Sequence, residues 1–405
     1  MIELKELRTV CHLKNGFAFK SEDYVEFSKT VSLRMSNIRP GGSFDSEYNL
    51  RFLPDNFKEK YSEYLLNDGD LVIAMTDLAN DPKILGVPTI VETNGKNWLL
   101  NQRVGKLEIK DNLKADKTYL KYILNHPIHK NYYKMFAGGG LQINVGKNEI
   151  LSIKIPLPQL ETQKKTAQIL DDAAALRNKT EQLLKEYDAL TQSIFLDMFG
   201  DPVKNPKAWK SKKLGDICDI GSSRRVFVDE LVEEGIPFYR GKEIGELSTK
   251  KSIKSELFIS TEHYENLKRE TGVPKIGDLL MPSICPDGRI LRVNNNDPFY
   301  FKDGRVLWIK IDNLKINSFY LKTFLKELFY TNYSKIASGT TFAELKIVAL
   351  KKIKFLEPPL SLQNEYAEKI ALIEKQKELA KQELKESDDL FNCLLQKAFK
   401  GELVL

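Results

Sequence analysis

Apolar positions along this chain recur with two different spacings. Over residues 161–199, Ile169, Ala173, Leu176, Thr180, Leu183, Tyr187, Leu190 and Ile194 step by alternating fours and threes. Over residues 361–400, Tyr366, Ile370, Ile373, Lys377, Ala380, Leu384, Ser387, Phe391, Leu394 and Ala398 keep the same step with two polar interruptions. A heptad seam sustained this long predicts a long helix packed against another helix. Each stretch follows a proline signal, IPLPQLETQ at 155–163 and EPPLSLQNE at 357–365, and proline is tolerated just before or at a first helical turn. The first stretch ends at FGDP, residues 199–202, where glycine supplies a stop and proline forbids continuation. At about 1.5 Å per residue each predicted rod is on the order of 55 Å long. A stripe of that length needs a partner surface: the other rod or, as the alternative, each rod's own domain.

The second spacing is strand-like. VGKLEIK (104–110) and VLWIKI (306–311) alternate apolar and polar, and IGDLLM (276–281) reads as a glycine turn opening a strand. TYLKYILNHPIHKNYYKMF (118–136) has helical spacing, so the globular parts are mixed α/β. These segments come in pairs, because the chain repeats itself with a period near 200 residues. PQLETQ (158–163) stands opposite PPLSLQ (358–363), and Leu190 and Phe199 stand opposite Leu390 and Phe399. Upstream, DGDLVIAM (68–75) pairs with IGDLLMPS (276–283), NQRVGKLEI (101–109) with DGRVLWIKI (303–311), and TYLKYIL (118–124) with FYLKTFL (319–325). The expected organisation is a globular domain at 1–155, a helix at 156–200, a second domain at 201–356 and a second helix at 357–405.

Composition narrows the class. With 405 residues, 42% apolar and 29% charged, the chain has material for two soluble cores, and it lacks both a signal-peptide pattern and an apolar run long enough to span a membrane. The expectation is a cytoplasmic protein with no membrane association. The four cysteines, Cys11, Cys218, Cys285 and Cys393, are too scattered for a disulfide framework or zinc ribbon. His126 and His129 have no third ligand nearby, so no metal is expected. The two predicted rods sum to −3, so the rest of the chain carries +9 within an overall +6, and the globular parts with the linker at 203–213 are where a polyanion would dock.

Catalytic motifs fail on inspection. FAGGGLQIN (136–144) fits the F-x-G-x-G letters of an adenosylmethionine loop, but it follows a helical stretch instead of a strand, and its repeat partner ASGTTFAEL (337–345) keeps only one of the three glycines. EPPL (357–360) is not the [ND]-P-P-[YF] of an amino-methyltransferase. Glu108-Ile109-Lys110 gives E-x-K without the preceding P-D of a nuclease, and no P-loop or nucleophile elbow occurs. The inventory describes a binder with no cofactor and no catalytic residue.

The duplicated Gly-Asp turns at Gly69-Asp70 and Gly277-Asp278, the P-L-P-x-L-x-x-Q helix start, the F-G-D-P exit and the closing KAFKGEL (397–403) together resemble the specificity subunit of type I restriction-modification enzymes. The resemblance covers essentially the whole chain; Glu357 departs from the hydrophobic-proline lead of the first helix start. It implies two tandem target recognition domains of α/β (α+β) class, each followed by a long helix. The helices would pack as an antiparallel coiled coil with internal pseudo-twofold symmetry. It further implies that each domain reads one half of a bipartite double-stranded DNA target. The helices would set the unread spacer and dock two modification (methyltransferase) subunits, and restriction subunits, which translocate DNA, would join the full complex. Polar and arginine side chains on loops would read base edges, while phosphate neutralisation supplies affinity. The candidates are Lys20, Arg34, Asn37, Arg39, Gln102, Arg103, Gln142 and Asn144 in the first domain. In the second they are Arg224, Arg225, Arg240, Lys242, Arg305, Thr340 and Thr341. Two competing readings are a coiled-coil scaffold whose globular domains bind protein, and a self-contained DNA methyltransferase.

Overall fold

The computed structural model describes residues 4–136, 140–249, 253–338 and 343–403. The chain divides into two compact units, Met1–Glu181 together with Gln382–Leu405, and Gln182–Lys381. Each unit therefore contains one globular part and a portion of both long helices, Leu160–Phe199 and Leu360–Lys400. These helices span the two stretches read as helical from the sequence, and Gly200 and Gly401, both at positive φ, follow their ends.

In the first unit a four-stranded antiparallel sheet runs in the order Cys11–Asn15, Val104–Ile109, Leu71–Ala74, Pro88–Ile90. A second sheet runs Phe52–Leu53, Thr30–Leu33, Asn97–Leu100, Leu65–Leu66, and its central pair is parallel. The second unit repeats the plan. Asp219–Gly221, Val306–Lys310, Leu279–Pro282 and Leu291–Arg292 form the equivalent sheet in the same order. Ile236–Tyr239 pairs in parallel with Tyr300–Phe301. The Gly-Asp turns open equivalent strands. Asp70 accepts the Asn67 amide at 2.8 Å and Asp278 the Lys275 amide at 3.0 Å, closing each turn. Each aspartate also meets the repeat-equivalent residue of the neighbouring strand, Lys106 at 2.8 Å and the Trp308 indole N–H at 2.9 Å.

Both helix starts are fastened by a glutamine. Gln163 is fully buried; its Oε1 accepts the Asp116 amide at 3.0 Å, and its Nε2 donates to the carbonyls of Lys114 and Pro158 at 2.9 and 2.8 Å. Gln363 accepts the Asn317 amide at 3.0 Å and donates to Pro358 at 2.9 Å. Tyr119 and Tyr320 complete the joint by donating to the Pro156 and Leu356 carbonyls. The spacing P-x-x-x-x-Q is thus a buried amide latch between globular part and helix.

Two expectations need correction. Leu176 and Leu190, assigned to the seam of the first helix, are 51% and 44% exposed, whereas Thr180 is buried. Thr180 and Thr191 can be tolerated toward the inner face because each hydroxyl donates to the carbonyl four residues earlier. The helical stretch at 118–136 is two helices, Lys117–Leu124 and Pro127–Lys134, while its counterpart is the single helix Ser318–Ile336. Pro127 stands where the second repeat has Leu328, and a proline cannot supply the amide an uninterrupted helix needs.

His126 caps that break. Its Nδ1 accepts the Ile128 amide at 3.3 Å, its ring stacks on Phe399 at 4.3 Å, and His129 meets the same phenyl edge-on at 5.5 Å. Burial, with a smaller contribution from His126, holds His129 down at about 4, against an ordinary value of 6.5. The unfolded chain takes up the proton first, so this stabilisation is complete above the ordinary value and is lost as pH falls toward 4. About 2 kcal/mol should be lost by pH 5. Denaturant unfolding at pH 7 and 5 should show this drop in wild type, and His129→Leu should remove it. Burial likewise pushes the thiols of Cys11, Cys218 and Cys285 up to about 12, while Cys393 is exposed.

Candidate nucleic-acid interface

Parallel strand pairing assembles the site. Thr30–Leu33 and Asn97–Leu100 run side by side and end together, with the Asn101 amide donating to the Leu33 carbonyl at 3.1 Å. Arg34 leaves one strand end, and Gln102 and Arg103 leave the other. The Gln102 amide donates to Phe17 at 2.9 Å, which brings in the loop carrying Lys20. That approach requires a glycine at 16, since a Cβ there would lie 2.3 Å from the Asn101 carbonyl oxygen. Phe17 and Phe19 pack on Tyr61, anchoring the loop from behind. On the far side the Met75 amide donates to Arg103 and the Val145 amide to Met75, both at 2.9 Å, so strand Gln142–Asn144 joins the group. Segments up to about 130 residues apart in sequence thus meet at one end of the first unit.

The second unit builds the same end. Lys302 donates its amide to Tyr239 at 2.8 Å, Ser283 to Arg305 at 2.9 Å and Leu345 to Ser283 at 2.7 Å. Ser222 and Ser223 sew the remaining loop to this turn through the Val306 and Phe301 carbonyls. Arg240, Lys242, Arg305, Arg224 and Arg225 therefore belong to one cluster. Thr340 and Thr341 lie outside the described residues.

The two ends differ in charge state. In the first, Arg34, Gln102, Arg103 and Gln142 have no side-chain partner among the described residues, and Gln102 and Arg103 are exposed. Lys20 meets the exposed Glu22 at 3.6 Å, and Arg39 stacks on Tyr48 at 4.4 Å with Asp45 at 3.7 Å. In the second, each of the four arginines is held by a carboxylate. Arg224 pairs with Glu270, Arg225 with Asp303 at 3.0 Å, Arg240 with Glu243 and with Glu256 at 2.7 Å, and Arg305 with Glu344 at 3.2 Å. Lys242 is exposed.

Asn37 has a different role from the one expected. It is 1% exposed; its Oδ1 accepts the Arg34 amide and its Nδ2 donates to the carbonyls of Asp45 and Tyr48, so its amide closes the 34–48 loop from inside. Asn144 remains exposed, and its Oδ1 accepts from the Thr76 hydroxyl at 2.7 Å. The sequence candidates omitted Thr76, Ser283 and Glu344. Glu344, the repeat equivalent of Asn144, accepts from Ser283 at 2.8 Å as well as from Arg305. The alignment of the two halves was the available signal, since it placed Glu344 opposite Asn144.

A duplicated fold with the same polar end twice has its counterpart among known proteins. The type I restriction modification DNA specificity domain matches residues 2–187 and again 206–387. The chain belongs to this family. Among its relatives, the Methanocaldococcus jannaschii protein named "Putative type I restriction enzyme MjaX specificity subunit" is 25% identical over 411 residues, covering 94% of this chain and 88% of the relative. A Haemophilus influenzae relative, "Putative type I restriction enzyme specificity subunit S.HindORF215P", is 25% identical over 330 residues, 78% of each chain. The fold matches the crystal structure of the S subunit of a type I restriction-modification system from M. genitalium. The TM-score is 0.56 with 15% identity, over 98% of this chain and 96% of that one. A chain from a structural study of type I R-M complex assembly and conformational transition matches with a TM-score of 0.54 and 18% identity, over 99% and 98%. The specificity family is one of DNA recognition, and no helix among the described residues is long and apolar enough to cross a membrane.

Proposed function

We propose that each unit reads one half of a bipartite double-stranded DNA target through its polar loop end. The long helices set the unread spacer and dock two modification subunits, which carry the methyltransferase chemistry, and restriction subunits join the complete assembly. The chain itself is then non-catalytic. The observation that carries this reading is the duplication of one loop end, built by equivalent backbone bonds but furnished with different side chains. A scaffold for proteins would not need two equivalent ends with such different polar groups.

Asn144 retains a donor and a second lone pair beyond its Thr76 bond, which suits an adenine edge, and an arginine suits guanine. Arg305, held by Glu344, is oriented before DNA arrives, and Glu344 itself can accept from a cytosine amine. Lys20, Arg34, Arg39, Gln102, Arg103 and Gln142 remain the other candidates in the first unit. Arg224, Arg225, Arg240 and Lys242 remain those of the second.

Two ion pairs support an antiparallel, pseudo-twofold arrangement of the helices. Arg177 meets Asp388 at 4.0 Å within the first unit and Lys377 meets Asp188 at 2.8 Å within the second. Residues 177 and 377, and 188 and 388, are repeat equivalents, so one basic-to-acidic contact occurs twice in opposite sense.

Methylation mapping of DNA treated with the reconstituted complex tests the reading: a target of two short motifs separated by a fixed unread gap is expected, and a continuous motif would sink it. Arg103→Ala should weaken DNA binding by about 1–2 kcal/mol and lower the salt slope by about one unit, because it removes an exposed charge that no carboxylate among the described residues offsets. Arg305→Ala should change the slope less, since Glu344 already offsets that charge. Binding isotherms across a salt series measure both.

A further inference from the structure

Residues 111–114 and 312–315 are both Asp-Asn-Leu-Lys. The two turns are constructed alike. Asp111 accepts the Leu113 amide at 2.9 Å and Asp312 the Leu314 amide at 3.1 Å, while Lys114 and Lys315 return to those aspartates at 3.5 and 3.1 Å. The aspartates and lysines thus have local work. The leucines have none: Leu113 is 80% exposed and Leu314 87% exposed, and an Asx turn asks nothing apolar of this position.

Retention of these leucines contrasts with their surroundings. Among repeat-equivalent residues nearby, Lys106 faces Trp308, Glu108 faces Lys310 and Lys117 faces Ser318. Identity also survives at buried positions such as Tyr119 and Tyr320, or Leu120 and Leu321, where packing accounts for it, and at exposed polar positions such as Asn112 and Asn313, where an exposed side chain costs nothing. An exposed apolar side chain present in both halves must meet something that is the same for both. DNA does not qualify, because the loop ends that face it differ between the units. A protein bound in two copies does.

Each turn is also bonded to the start of a long helix. The Lys114 carbonyl accepts from Gln163, and Asn317, two residues after Lys315, bonds to Gln363 and Asn364. The turns that carry the leucines are therefore tied to the starts of the helices on which docking is proposed.

We propose that Leu113 and Leu314 are equivalent docking knobs, each entering an apolar socket on one of two identical modification subunits. This rests on the two-subunit reading above. The full-length chain, mixed with the modification subunit of the same system, is examined by native mass spectrometry and titration. Wild type should take up two copies, and Leu113→Asp or Leu314→Asp should each take up one, with at least about a tenfold loss at the altered half. The double variant should take up none, and Leu113→Met should restore two. Unchanged thermal unfolding checks that the aspartate variants are folded. Hydrogen exchange on the wild-type complex gives an independent measure: protection at 111–114 and 312–315 is expected on binding. Two copies bound by the double variant at wild-type affinity, or no protection of either turn, would overturn the knobs while leaving the two-subunit reading intact. A wild-type chain that binds no modification subunit would remove that reading and the knobs with it. Dimerisation of the isolated chain through these turns, abolished in the double variant, would reassign them to a second copy of this chain and overturn the proposal.

Discussion

Exchanging residues 1–155 for the corresponding segment of a relative with another target is expected to replace one half of the recognised sequence and leave the other half unchanged. The physical basis is the separation of the cores. One apolar cluster joins Leu7, Leu71, Leu107, Tyr119 and Ile155 to Leu170 and Leu395, all within the first unit. Another joins Leu214, Leu279, Ile309 and Tyr320 to Phe195, Tyr366 and Ile370, all within the second. The exchanged segment carries every candidate reader of its unit, whereas the helices that complete both cores stay in place. It must still present Tyr122 to Asp171 and Phe391, and His126 to Phe399, or the new segment will not seat. With each wrong base pair costing about 1–3 kcal/mol, methylation of the original target should fall at least about 100-fold. Sequencing of methylated sites would reveal a hybrid target. Loss of both halves would count against independent reading.

Replacing Gln163 by alanine should destabilise the first unit by about 4 kcal/mol. The side chain is fully buried, and its removal strands one amide and two carbonyls away from water, where each unpaired group costs about 1–3 kcal/mol. Gln163→Glu keeps the volume and the acceptor but cannot donate to the Lys114 and Pro158 carbonyls, and it should also be strongly destabilising. Gln363→Ala should act on the second unit by the same route. Urea unfolding followed by hydrogen exchange would localise each loss to its unit; a change below about 1 kcal/mol would show that water substitutes for the amide.

Much of this was legible because it is local. The helices Leu160–Phe199 and Leu360–Lys400 begin one residue before the stretches read from the heptad step, and Val104–Ile109 and Val306–Lys310 are the strands their alternation predicts. The repeat showed through divergent side chains because both halves bury the same positions. FAGGGLQIN follows helix Pro127–Lys134 and ends in strand Gln142–Asn144, as its setting suggested, although residues 137–139 fall outside the described residues. The glutamine of the helix start was visible as a motif, but its meaning was not, since the three groups it bonds lie up to 49 residues away.

The sequence by itself determined the periodicities, the duplication and the family, because these are written in short-range spacing and in positions that burial holds constant. Only the tertiary structure decided which polar side chains are available. Asn37 looked like a reader and is spent on its own loop; Arg103 and Arg305 occupy equivalent places, yet among the described residues only Arg305 is met by a carboxylate, from 39 residues further along the chain. Parallel pairing of strands far apart in sequence brings such groups together, and no local pattern encodes which partner arrives. The division of each long helix between two compact units is of the same kind: the seam says that a helix must be covered, and the fold chooses what covers each part.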